Sequence, residues 1–404
     1  MFASAVLVWT VSVSAADSPV AISENVRISR DDTPYGEPYI AQHPKLSDHL
    51  VAIASKFTTS GPTLAVVFTS RDGGHSWREV VLPTGDVSHA VDCWVAFADT
   101  GTVYASVLVI ERGDKRTKIA IFRSDDDGES WARISTIAAE RSFDRPSLVA
   151  RGTELVVATE YRGGIALLHS RDRGRTFTAP RPFRPSENLD HNAMNPIWVG
   201  PSVLLPYVDY GGNLQSSRIG MVGTGNFGRT WSRPAVVADV PRRFPGLADV
   251  AAANGRIFVA FASGEPDSRT VSVVRFTEGE ASVAPTVVSN PGRQAFRPAI
   301  AVSPTGLVGV TWIESDSGCT RLWFSSSTDH ARTFAPPVPV SEEYSCGTTP
   351  ENRIAFDRWE HGGDYFGLTA RRDSFVAVWA DARTGTFQIY TATITPPSTS
   401  PSDR

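Results

Sequence analysis

The chain has 404 residues, of which 41% are hydrophobic and 20% charged, with a formal net charge of −4. That apolar share supplies a large buried core and excludes a disordered chain, and the slight acidic excess excludes a basic nucleic-acid surface. Four of the 39 basic residues are Lys and the rest Arg, so a single Arg carries little weight as a functional signal.

Residues 2–16 form an uncharged apolar and small-residue run that ends in Ser14-Ala15-Ala16 before Asp17. This is the pattern of a secretory signal peptide, too short to remain as a membrane span. It predicts a secreted or periplasmic protein whose mature domain covers 17–395, followed by a disordered Pro/Ser tail at 396–404. Residues 21–28 read as an isolated strand.

Beyond that strand the chain is a repeat. A box of the form Ser-x-Asp-x-Gly-x-Ser/Thr-Trp/Phe runs from Ser70 through Asp72 and Gly74 to Trp77. It returns from Ser124 through Asp126 and Gly128 to Trp131, and from Ser170 through Asp172 and Gly174 to Phe177. Worn copies end at Trp231 and Phe334, and a degenerate one is expected between Phe276 and Gly279.

A second marker, often a Pro opening an alternating apolar run, is in phase with the box. It places repeat starts at 44, 94, 146, 196, 245, 298 and 366. A period near 50 with four short strands per unit predicts an all-β chain forming a single β-propeller. Seven four-stranded blades are expected, with six as the alternative. The seventh repeat has three strands of its own, so the strand at 21–28 is expected to complete the last blade and close the ring. Closure removes exposed edges.

The box resembles the Asp-box (BNR) element of sialidases and related secreted propellers, over nearly the whole mature chain. Its physics is structural. The Asp caps turn N–H groups, Gly takes a left-handed position, and the aromatic packs back into the blade. Asp72, Asp126 and Asp172 are therefore read as folding staples.

Chemistry is expected where the inner strands ring one mouth of the channel. One residue before each marker stand His43, Cys93, Arg145, Asn195, Phe244, Arg297 and Tyr365. Two before stand Gln42, Asp92, Asp144, Met194, Arg243, Phe296 and Asp364. Which set faces the mouth is open. Arg145, Arg243 and Arg297, with Asn195 and His43, are the candidate substrate-binding residues, because guanidinium groups fork onto a carboxylate. Asp92, Asp144 and Asp364 are the candidate acids.

Arg242-Arg243-Phe244-Pro245 resembles part of the sialidase Phe/Tyr-Arg-Ile-Pro signature. On that resemblance Tyr365 is the counterpart of the nucleophile and Glu160 its partner base. The implied activity is exo-sialidase-like glycoside hydrolysis of a glycan or glycoconjugate by a monomer with no cofactor or metal. The competing reading is a non-catalytic propeller that binds a polysaccharide or protein at its mouth. Cys319 and Cys346 flank a long segment and can pair, which leaves Cys93 over. The segment 335–363 carries Trp359, Glu360 and His361 and is long enough for a binding loop or a blade-edge cap.

Overall fold

The computed structural model describes residues 20–397, apart from 59, 188–190, 211–215, 242–246, 266–267, 277–283 and 347–359. The signal-peptide run, Arg243 with its neighbours, the degenerate box around Gly279, Trp359 and the end of the tail lie outside the described residues.

Seven antiparallel sheets follow one another around a ring, which settles the blade count at seven rather than six. The first blade runs outward through Tyr35–Gln42, Leu50–Lys56, Leu64–Ser70 and Arg78–Val81. The inner strands of the second and third blades are Val87–Phe97 and Phe143–Arg151. The fourth blade splits its inner strand into His191–Ala193 and Ile197–Val199. Asp249–Ala253, Gln294–Val302 and Gly367–Ala370 are the inner strands of the remaining three. In the third blade the outermost place is held by a single bridge between Ile165 and Phe183.

Middle strands are covered on both sides by neighbouring blades, so they read as continuous apolar runs rather than alternating ones. Leu50–Lys56 is buried from Leu50 to Ser55.

The N-terminal segment closes the ring as the repeat count requires. Ala21–Ile22 and Val26–Arg27 pair antiparallel with Gln388–Thr395, the third strand of the last blade. Between them Asn25 donates to the Val340 carbonyl at 3.0 Å and accepts from Arg383 Nη2 at 3.0 Å. Arg383 also binds Asp381 Oδ2 at 2.6 Å, with both side chains buried. Cys319 and Cys346 form a disulfide that holds the start of the 347–359 connection to the sixth blade. Cys93 remains a buried free thiol.

The box acts as a turn staple. In the second blade Asp126 Oδ1 accepts from the Ser130 N–H at 2.9 Å and from Ser124 Oγ at 2.7 Å, and Oδ2 accepts from Ser130 Oγ at 2.5 Å. Ser124 Oγ in turn accepts from the Gly128 N–H at 2.8 Å, and Trp131 Nε1 donates to the Gly128 carbonyl at 3.1 Å. In the third blade the Thr176 hydroxyl and N–H hold the Asp172 carboxyl down to about 2. Each box follows the third strand of its blade, which runs parallel to the inner one. The boxes therefore sit on the face where inner strands end.

The repeat phase needs one correction. Pro44 does not open the first inner strand; it lies in the turn after Gln42. Pairing register shows the true equivalence. The inner strands of blades one, two, three and six each carry a β-bulge, between Gly36 and Tyr39, Val91 and Trp94, Asp144 and Ser147, and Phe296 and Ala299. Pro38, Cys93, Pro146 and Pro298 occupy the same place in these bulges. The repeat therefore starts at 38, and the second marker moves from 94 to 93.

Asp126→Ala should lower stability by about 1–3 kcal/mol, the cost of leaving capped donors without an acceptor. Urea unfolding checks this.

Candidate functional site

In each of the four bulges the residue before the Pro (or Cys93) sits in the left-handed backbone region. These residues are Glu37 (φ 55°), Asp92 (φ 49°), Arg145 (φ 48°) and Arg297 (φ 52°). None is Gly, so every one of these conformations is unfavourable. A bulge strengthens local twist and re-aims the side chain it carries. Four strands use that device at one level of the ring, and each time the residue is charged.

Glu37, missed in the sequence because of the phase error, is 1% exposed. Burial pushes its carboxyl well above the usual range, and the nearby Asp92 and Asp364 carboxylates push it further. The Asp364 N–H reaches Glu37 Oε1 at 3.4 Å. Asp92 is raised to about 7, first by burial and then by the Asp144 carboxyl against it. Tyr365 is held protonated by burial and by Glu37 and Asp92, which face it. The Asp364–Tyr365 pair reaches this position over two left-handed glycines. A Cβ on Gly363 would meet Glu37 Cγ at 2.2 Å, so only Gly lets the segment lie against the first blade.

Arg145 crosses the mouth from the third blade to the seventh, with Nη2 2.8 Å from Asp364 Oδ2. Its Nε lies 4.0 Å from Glu160 Oε1. Burial lowers the guanidinium pKa, but Glu160, Asp364, Asp144 and Asp92 outweigh it and hold the group charged. Glu160 therefore faces Arg145, and the Asn192 amide donates to it. The carboxylates that act on Tyr365 are Glu37 and Asp92.

Two predicted site residues are engaged elsewhere. Asn195 Nδ2 donates to Asp249 Oδ1 at 2.6 Å, and Asp249 Oδ2 accepts from the Ile300 N–H at 2.9 Å. Asn195 and Asp249 thus tie blades four, five and six together beside the channel. Burial pushes Asp249 up to about 7 against these donors and the Val250 N–H.

His43 lies at the far end of the inner strand, on the box face. Its Nδ1 accepts from the Lys45 and Leu46 N–H groups, each at 3.0 Å. Its ring, His49 and Asp127 bring potential ligand atoms within 4.8 Å of one another. His49 Nε2 is already 2.8 Å from the Asp127 carbonyl oxygen, so in both rings one nitrogen is committed within the protein.

An aromatic floor underlies the charged cluster. Tyr39 stacks on Trp94 with ring centroids 3.4 Å apart, and Trp94 lies 6.0 Å from Tyr365. Tyr39 and Trp94 also line a second chamber of the channel, beyond the charged cluster, with a cavity of about 660 Å³.

No family model matches the sequence, and no curated protein matches it. Solved structures do share the fold. A protein of unknown function from Dyadobacter fermentans superposes with a TM-score of 0.55 at 13% identity, covering 93% of this chain and 99% of that one. The NanB sialidase of Streptococcus pneumoniae, as its K499G mutant, gives 0.51 at 12% identity over 76% of this chain and 69% of that one. The GH93 α-L-arabinofuranosidase of Fusarium graminearum in complex with arabinobiose gives 0.51 at 14% identity, over 93% and 98%. At these identities the likeness is one of fold.

Asp249 and Asp92 keep their protons in the folded state up to about pH 7, well above an ordinary Asp. At these two sites the folded protein then binds more protons than the unfolded chain between about pH 4 and pH 7, so their contribution to stability falls as pH rises through that window. Asp249→Asn should remove its share of that fall, which urea midpoints of the variant and the parent, compared across the window, will show.

Proposed function

We propose that the protein is a glycoside hydrolase whose site is the bulge-lined mouth, with Glu37, Asp92 and Tyr365 as the reacting groups. The observation that carries this is the set of four charged residues held in unfavourable backbone at one level of the ring. Strain of that kind persists where function requires it. The low-identity likeness to propellers that include a sialidase and an arabinofuranosidase supports the same reading.

In the proposed reaction Asp92 gives its proton to the departing glycosidic oxygen. In the reacting form the Glu37–Asp92 pair holds one proton, on Asp92, and Tyr365 Oη attacks the anomeric carbon as its own proton passes to the Glu37 carboxylate. Water then attacks the glycosyl-tyrosine, Asp92 takes the water proton, and Glu37 returns its proton to Tyr365. A carboxyl with its pKa near 7 suits both halves of the cycle. The aromatic floor supplies a face for a sugar ring to stack on.

Five carboxyl groups, Glu37, Asp92, Asp144, Glu160 and Asp364, face this mouth, and Arg145 is already paired with Asp364. Such a surround favours the positive charge of an oxocarbenium-like transition state. It favours a neutral terminal sugar over an acidic one. The sialidase-like reading is the second, favoured by Arg145 and Arg297 at matching bulge positions, which suits a sugar carboxylate.

Purified residues 17–404 should be assayed with a fluorogenic α-L-arabinofuranoside and a fluorogenic α-sialoside. Turnover is expected on one of them. Glu37→Gln, Asp92→Asn and Tyr365→Phe should each lower it by about 100-fold or more with the fold intact. Activity should be bell-shaped in pH, present while the Glu37–Asp92 pair holds one proton, and the limb set by Asp92 should vanish in Asp92→Asn. No hydrolysis of either substrate, or full activity in Tyr365→Phe, would overturn this assignment. Glycan or protein binding at the mouth without turnover would then take its place.

A further inference from the structure

The second chamber of the channel opens on the opposite face and has its own chemistry. Its volume of about 660 Å³ falls within the usual range for a small-molecule pocket, and all seven blades contribute to its wall. The space has a sequence cause. Three positions after the bulge Pro (or its equivalent) stand Ala41, Ala96, Val149, Ala301 and Thr369, all lining the chamber. These short side chains leave the axis empty beyond the level that Tyr39 and Trp94, two positions earlier, fill.

Charge sets this chamber apart from the other mouth. Among the described residues that line it there is no Asp or Glu, whereas Lys45, Arg371 and Arg372 stand at its open end. Lys45 and Arg372 are exposed. Arg371 is half-buried and braced by the Gly73 carbonyl at 2.9 Å, with its Nε 3.5 Å from Gln42 Oε1. Asp48 and Asp373 act on two of these cations from outside the wall. His43, also in the wall, is held neutral because burial lowers its pKa. A cationic rim over an apolar chamber in a chain of net charge −4 matches one kind of occupant.

We infer that this chamber is a second binding site, for a monoanionic amphiphile whose apolar body fills the chamber and whose acid group meets Lys45, Arg371 and Arg372. The site is separate from the glycan-directed mouth, and the inference does not depend on that assignment.

The test uses residues 17–404 and 8-anilinonaphthalene-1-sulfonate, with uncharged N-phenyl-1-naphthylamine as its counterpart. Saturable one-to-one binding of the sulfonate is expected, about tenfold or more tighter than that of the uncharged probe. Ala96→Phe and Ala301→Leu fill the chamber from different blades. Each should weaken both probes by about tenfold or more, while an unchanged thermal transition shows that the fold is kept. Lys45→Glu with Arg372→Glu should weaken the sulfonate and spare the uncharged probe. The inference is overturned if the sulfonate shows no saturable binding, if both filled variants bind it as before, or if the two probes bind equally.

Discussion

The β-bulge near the start of the inner strand is the constraint on which this site depends. A regular strand would send successive side chains to opposite faces of the sheet. One extra residue breaks that alternation and puts a single side chain into left-handed backbone, aimed along the channel. Glu37, Asp92 and Arg145 converge because their blades make the same local error in pairing, and Arg297 takes the same backbone place in a fourth. Burial follows from convergence. Carboxyl groups brought together away from water cannot all ionise, so Glu37 and Asp92 lose their protons at higher pH than isolated carboxyls do.

The same geometry divides the channel. Above the bulge, charge collects. One residue beyond the Pro position, Tyr39 and Trp94 meet across the first two blades, with Ala299 and Gly367 at the equivalent places in blades six and seven. Two residues further on, small side chains leave a chamber. The alternation of large and small along the first two inner strands, with small residues in blades six and seven, thus makes an acidic mouth, an aromatic floor and a cation-rimmed hollow out of one repeated strand. The boxes, all on the chamber side, brace the blades without touching the acids.

Much of the fold was legible because the box is both frequent and regularly spaced. Its internal hydrogen bonds are satisfied within eight residues, so its sequence survives whatever the neighbouring blade requires. The site was less legible because its logic is non-local. Pro44 imitated a marker, and that displaced the first blade's contribution from Glu37 to His43. The signal for Glu37 was present: Glu37-Pro38 has the form of Arg145-Pro146, Asn195-Pro196 and Arg297-Pro298. Asp249 left no such signal, since its partners Asn195 and Ile300 lie 54 and 51 residues away in other blades. Arg145 and Asp364, 219 residues apart, could be placed in one ring but not paired.

Ring closure and site assembly are one event. Tyr365 and Asp364 arrive on the segment that leads into the last blade, and Glu37 belongs to the first. Their contact runs across the seam that Ala21–Ile22, Val26–Arg27 and Asn25 hold shut. Gly36 and Gly363 make the same point at atomic scale, because a Cβ on Gly36 would meet the Gly362 carbonyl oxygen at 2.9 Å. The two segments lie so close that side-chain-free backbone is required on both sides. A propeller whose seam opened would keep its boxes and most of its core, yet Glu37 and Tyr365 would part. The N-terminal strands therefore hold Glu37 and Tyr365 together.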